Sequence, residues 1–299
     1  MLAKAQGEGM KYYLRRHAIG PQVMVEIDQA RYERLVASRR TLVDALSFEQ
    51  RYELLLGNFT AFEMFCAELS VRSNFEFDFR YETWAIVLAD ANRHALNFLA
   101  TARQYADQLV RGFKHLELSE PFSDTAEKLL RKAYDDALEY QFVCELRNYL
   151  QHRSVAIHGM KGRGKDAPWA EGTKLYCQKK LILEDRGKFK QRVLEKLDDE
   201  IDMLFMFRGY MAQISRVQFE LRKQIKDRCE EARADIQEAM NEFANAQGDD
   251  DTDTFEHRAI GLTVVAQDGE EFINPVQLLL KWDNARIVLG DKNCKRMSF

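Results

Sequence analysis

YETWAIVLADANRHALNFLATARQYADQLVRGFKH, residues 81–115, places Trp84, Val87, Leu88, Ala91, Ala95, Phe98, Leu99, Ala102, Tyr105, Leu109 and Phe113 on a single stripe. Steps of three and four residues are the period of an α-helix with one buried face. The stretch therefore predicts a long amphipathic helix. Only four prolines occur in the chain (Pro21, Pro121, Pro168, Pro275), which leaves long segments on either side free to be helical as well.

On the N-terminal side, residues 28–73 repeat the pattern. Leu35, Val36, Val43 and Leu46 form one apolar set, and Leu55, Phe59, Phe62, Phe65 and Leu69 form another. Ser47 with Gln50 three residues later has capping-box spacing, so two helices are predicted here. On the C-terminal side Pro121 interrupts, and Asp124 with Glu127 reads as a new helix start. The third helix carries Leu129, Leu130, Ala133, Ala137, Tyr140, Val143 and Leu146 and is predicted to end near Arg153.

The period then changes. Val155–His158 and Lys174–Leu183 read as two short strands around a glycine-rich basic tip, Gly159–Lys165. Helical spacing returns from Lys188 to Ala246 with Val193, Leu197, Ile201, Leu204, Ile214, Leu221, Ile236 and Phe243 among its apolar positions. Gly248–Asp253 is an acidic linker. Beyond it, Gly261–Val265 and Ile287–Leu289 suggest strands, with a short helix after Pro275. The expected organisation is a helical domain over 1–247 with a β-hairpin inserted at about 155–183. The acidic linker and a small mixed appendage follow over 248–299.

The chain has 299 residues, a net charge of −4 and five cysteines, none in a C-x-x-C pair. Overall charge makes no case for nucleic acid, so a basic surface must be local. The spread of the cysteines fits free thiols in a reducing compartment better than disulfides or a zinc site. The N-terminus lacks the apolar core of a signal peptide, and no run approaches the ~18 apolar residues of a membrane helix. The expectation is a cytoplasmic protein with no membrane, metal or cofactor requirement.

One hexapeptide carries chemistry: Arg147-Asn148-Tyr149-Leu150-Gln151-His152, closing the third helix. Asn148 and His152 are i,i+4 and project along one face. Arg147 lies roughly 100° around the helix, but its long side chain reaches the same side. A cation, an amide and an imidazole could thus meet one phosphate. The plainer alternative puts Arg147 and Gln151 in solvent, with His152 capping the helix end, a favourable place for a cation.

Other patterns are weaker. Gly159-x-x-x-x-Gly164-Lys165 nearly spells a P-loop, but Asp166 replaces the Ser/Thr and Pro168 stands where a helix should begin. Residues 161–192 hold ten Lys/Arg against four Asp/Glu, a local excess of six positive charges that could track phosphates. His158 reads as a strand histidine and His94 as a surface residue. Asp249–Asp253 lacks the glycine and distal glutamate of a calcium loop.

Arg147-Asn148-x-x-x-His152, followed by Arg153, resembles the R-x(4–6)-H motif of the HEPN superfamily, in its frequent form with asparagine after the arginine. The resemblance implies an all-α, up-and-down four-helix bundle over about Asp28–Ala246, with the motif near the end of the third helix. It further implies a metal-independent endoribonuclease with Arg147, Asn148 and His152 as catalytic residues, working as a homodimer in which two motifs share a cleft. Many such proteins are toxins or phage-defence effectors, which adds an antitoxin protein to RNA as a candidate partner. Arg153, His158, Lys161, Arg163 and Lys165 are the candidate RNA contacts. The chemistry suits the residues. With an unperturbed pKa of about 6.5, His152 can act as base or acid near neutral pH. Arg147 can hold the phosphate and its transition-state charge. Asn148 could orient the histidine or donate to the phosphate. The competing reading is a non-catalytic HEPN-like helical module for dimerisation or partner docking.

Overall fold

The computed structural model describes residues 10–16, 23–75, 80–116, 121–150, 155–161, 173–184, 189–247 and 261–294, and these are mainly helical with small antiparallel sheets. In chain order the first elements are β1 (Lys11–Arg16), β2 (Met24–Ile27), α1 (Gln29–Phe75), α2 (Tyr81–Arg111), α3 (Phe122–Asp136) and α4 (Leu138–Leu150). Then come β3 (Gly159–Lys161), β4 (Lys174–Gln178), α5 (Lys179–Glu184), α6 (Gln191–Leu194), β5 (Glu200–Asp202) and α7 (Met203–Gln247). The last are β6 (Leu262–Asp268), β7 (Glu271–Leu278) and α8 (Lys281–Cys294).

Two compact units result. One gathers Met1–Glu49, Phe113–Phe122 and Arg222–Lys292; the other gathers Gln50–Gly112, Ser123–Leu221 and Asn293–Phe299.

The first unit contains a four-stranded sheet in the order β2-β1-β6-β7, antiparallel throughout. Residues 262–278, which the sequence suggests as part of an appendage, are thus built onto the N-terminal strand, with Leu14 opposite Val264. Gly269, at φ 58°, makes the tight β6–β7 turn. Pro275 lies in β7, an edge strand that tolerates its missing N–H. Beside it, Asn274 takes φ 50° at a register shift opposite Val264–Ala266, a left-handed conformation that asparagine adopts readily. The expected strand at Ile287–Leu289 is instead helix, part of α8. There Asp283 and Arg286, one turn apart, are bonded at 2.6 Å.

Most of the buried ionic groups described in this unit are paired, although Arg31 Nη1, Arg39 Nε and Thr263 Oγ1 are buried with no hydrogen-bond partner among the described residues. The Arg222 guanidinium donates to both Glu49 oxygens at 2.7 Å. Fully buried Asp283 accepts from Arg233 at 2.9 Å as well as from Arg286. Phe48, Phe113 and Phe122 meet edge-to-face at 5.6–5.8 Å, a geometry that adds to simple burial.

The sequence predicts a break in α1 at Ser47, yet the helix runs unbroken from Gln29 to Phe75. The buried positions explain this: Leu42, Ala45, Phe48, Tyr52 and Leu55 continue one stripe through the suggested cap, so a break would expose core. The real N-cap is Asp28, whose carboxylate accepts the Arg31 N–H at 2.7 Å. Taken alone, α1 is long and apolar enough to cross a membrane, with an 18-residue window of mean hydropathy 1.3. Of that window 28% is buried, and Leu55, Phe62, Cys66 and Leu69 are among the buried positions of the helix.

In the second unit the expected third helix is two. It breaks at Ala137 between α3 and α4, where the Gln141 side chain donates to the Tyr134 carbonyl at 2.7 Å and satisfies a group freed by the break. The expected strand at Val155–His158 falls instead at Gly159–Lys161, and the second expected strand turns into α5 after Gln178. The expected helix from Lys188 is replaced at its start by α6 and β5, which completes a three-stranded sheet in the order β3-β4-β5. Asp202 then caps α7 through the Phe205 N–H at 3.0 Å.

Candidate anion pocket around Arg147

The second unit is organised around aromatic side chains from α1, α2, α4 and α7. Phe62, Phe98 and Phe207 pack at 4.5–4.9 Å. Tyr140 stacks on Tyr210 at 4.8 Å. Gly209, beside Tyr210, permits this approach, since a Cβ there would overlap the Glu139 side chain. Each buried hydroxyl has a partner: Tyr52 shares a hydrogen bond with Ser215 at 2.8 Å, and Tyr105 donates to Gln218 at 2.6 Å.

The motif stands at the end of α4, against this core. Leu146 and Tyr149 are buried, which fixes the rotation of the helix and turns Arg147 toward a cavity of about 310 Å³. Leu99, Ala102, Leu130 and Val143 give the cavity apolar walls, and Tyr134, Tyr140 and Tyr210 add rings. Its charged lining residues are Arg103, Arg131 and Arg147 against Asp107 and Glu127.

Those charges are unequally matched. Arg103 pairs with Asp107 and Arg131 pairs with Glu127, each one helical turn apart. Arg147 is left with a neutral partner, the Asn148 side-chain oxygen, to which it donates. Its buried Nε has no hydrogen-bond partner among the described residues. Burial, and next the like charge of Arg103, pull the Arg147 pKa down. Cys144, also on the wall, is held as a neutral thiol by burial, its pKa pushed up to about 11.

The segment after the motif is pinned by Asn92 of α2. This buried amide accepts the Ala156 and Ile157 N–H groups at 2.8 and 2.9 Å and donates to the Ile157 carbonyl at 2.9 Å. Its second donor position serves the Leu88 carbonyl at 2.9 Å. Asn92 therefore fixes the backbone at Ala156 and Ile157 against α2.

The candidate site residues fare differently. Arg147 and Asn148 are together at the cavity side of α4. His152, Arg153, Arg163 and Lys165 lie outside the described residues. His158 is half-buried; its Nδ1 accepts the Gln178 N–H at 3.0 Å, and burial lowers its pKa. Lys161 is exposed, paired with Glu200 and set over the Tyr176 ring at 5.6 Å. His94, expected at the surface, is half-buried and stacked on Phe65 at 5.0 Å. Among the described residues no cluster of three His, Cys, Asp or Glu side chains could hold a metal ion.

Arg103, Asp107, Arg131, Glu127 and Asn92 join the site through tertiary packing that the residues alone do not announce. The i,i+4 spacing of Arg103 with Asp107 and of Glu127 with Arg131 was visible, but it says only that each pair can form on a helix surface. In comparisons with known proteins, no family model, curated protein or solved structure matches the chain.

Proposed function

We propose that the protein is a metal-independent endoribonuclease of HEPN type, with Arg147 holding the scissile phosphate, His152 moving the proton and Asn148 fixing the arginine. The observation that carries this reading is Arg147 itself. It is half-buried on a cavity wall, bonded among the described residues only to a neutral amide, and faces a second arginine. Such a cation is stabilised by an anion entering the cavity, and a phosphate suits a guanidinium because two donors can bind it at once. The plainer alternative places Arg147 in solvent, which fits its burial poorly. Further support comes from the order of long helices α1, α2, α3–α4 and α7, which suits a four-helix bundle with the β3–β4 hairpin inserted before the last.

Cleavage would follow attack of the 2′-hydroxyl on the adjacent phosphorus. The base takes the hydroxyl proton, the 5′-oxygen leaves with a proton, and a 2′,3′-cyclic phosphate remains. One imidazole is hard pressed to serve as both base and acid in the same step. The reading therefore includes a homodimer, which supplies a second His152 to a shared cleft, a cytoplasmic location and an antitoxin as a regulatory partner. A second reading, a non-catalytic interaction module, draws on exposed apolar residues of the same unit: Met64, Val71, Tyr81 and Ile86.

The test is RNA cleavage by purified protein in EDTA, with end-group analysis. The ribonuclease reading expects 2′,3′-cyclic ends and loss of cleavage in His152→Ala. Wild-type activity surviving in His152→Ala removes the mechanism, and no cleavage across a broad RNA panel favours the interaction module.

A further inference from the structure

The cavity is larger than a phosphate needs. A guanidinium and one neighbouring cation would bind an inorganic anion at an open surface, yet here about 310 Å³ of space extends between α2, α3, α4 and α7. That space is at the lower end of the range for small-molecule sites and matches a ligand of nucleotide size. Its lining combines three arginines and two carboxylates with aliphatic side chains and tyrosine rings. A ligand that fits both is an anionic group attached to a flat, largely apolar body.

The geometry points to a mononucleotide subsite: Arg147 and Arg103 take the phosphate, and the base lies against the apolar wall around Leu99 and Val143. This deepens the ribonuclease reading and rests on it, because the nucleotide would be the one flanking the scissile phosphate of an RNA substrate. Charge balance supports it. Two of the three arginines have a carboxylate one turn away, and Arg147 has none, so one added negative charge neutralises the lining. Displacing Arg103 from Asp107 onto the phosphate costs little, since the pair is partly exposed, Arg103 by about half and Asp107 by about a third.

The experiment is calorimetric titration of the full chain with the four nucleoside 3′-monophosphates and, separately, with inorganic phosphate. At least one nucleotide is expected to bind at least about tenfold tighter than inorganic phosphate, the minimum difference for a base that makes real contacts. Arg147→Ala should weaken nucleotide binding by about tenfold to a hundredfold, the usual range for a lost charged hydrogen-bond donor. Ala106→Leu fills the cavity without altering charge and should weaken the nucleotide but not inorganic phosphate. Arg103→Gln, at an exposed position, is the second variant if Ala106→Leu does not fold, and should weaken both ligands. Equal affinity for nucleotide and inorganic phosphate overturns the proposal, as does unchanged nucleotide binding in Ala106→Leu or, in its place, Arg103→Gln. Failure of the ribonuclease reading looks different. Nucleotide binding with no RNA cleavage sinks that reading and leaves the subsite standing. RNA cleavage with an unchanged KM in the folded cavity-filled variant sinks the subsite and leaves the ribonuclease.

Discussion

Arg286 and Arg147 are both withdrawn from water, and they respond in opposite ways. Burial pulls each pKa down, but Arg286 ends raised, because its hydrogen bond to Asp283 and the nearby acidic groups outweigh burial. Arg147 ends lowered, because after burial its largest neighbour is another arginine. In the first unit, Glu49–Arg222 and Arg233–Asp283–Arg286 form a set in which every buried carboxylate is matched by a guanidinium. In the second, the cavity carries one cation too many. A matched network holds a structure, whereas an unmatched, half-buried cation is a place where an anionic ligand would add stability.

The largest expected effect lies in the matched network. Asp283→Ala leaves Arg233 and Arg286 without their shared buried carboxylate and should destabilise by about 3–5 kcal/mol. Urea unfolding followed by circular dichroism measures it, and a loss below about 1 kcal/mol would break the comparison, since a pair that is dispensable on one side is not matched by necessity. Next comes Asn92→Ala, which strips partners from two buried N–H groups at Ala156 and Ile157. About 2–4 kcal/mol is expected, from roughly 1–3 kcal/mol for each unsatisfied group, with faster amide exchange at 156–157. Arg147→Met should fall within about 1 kcal/mol of wild type or be slightly stabilising, because it relieves repulsion and removes an unpaired Nε. A loss as large as that of Asp283→Ala would mean that Arg147 has a structural anion after all.

The smallest effect is pH-dependent. His158 is held neutral by burial, with a folded pKa below its unfolded value of 6.5. Its contribution to stability is fully present above about pH 6.5. It falls away on acidification through the folded pKa, because the unfolded chain takes up the proton first. Nuclear magnetic resonance should give a His158 midpoint below that of an exposed histidine, and His158→Gln should flatten this part of the stability profile.

Much of this arrangement was legible in the residues. The stripe from Trp84 to Leu109 becomes the apolar face of α2, which stops at Arg111, short of Phe113. The break at Ala137 was hidden, since Leu129 to Leu146 keeps helical spacing on both sides and the break shows only in the Gln141–Tyr134 bond. The strands β1 and β2 were hidden for a different reason: six- and four-residue segments declare themselves only through their partners, here β6 for β1 and β1 for β2. The hexapeptide could be read because Arg147 and Asn148 are adjacent. Arg103, 44 positions earlier, could not, because only tertiary packing brings it to the same cavity.

If RNA phosphate is what completes the unmatched Arg147, RNA cleavage in EDTA by wild type, Arg147→Lys and Arg147→Ala, each verified as folded, will show it most directly. Wild type should cleave, Arg147→Ala should lose about a hundredfold or more, and Arg147→Lys should recover only part, because its ammonium restores charge but not the paired donors. Cleavage by Arg147→Ala at the wild-type rate would contradict that role of the arginine.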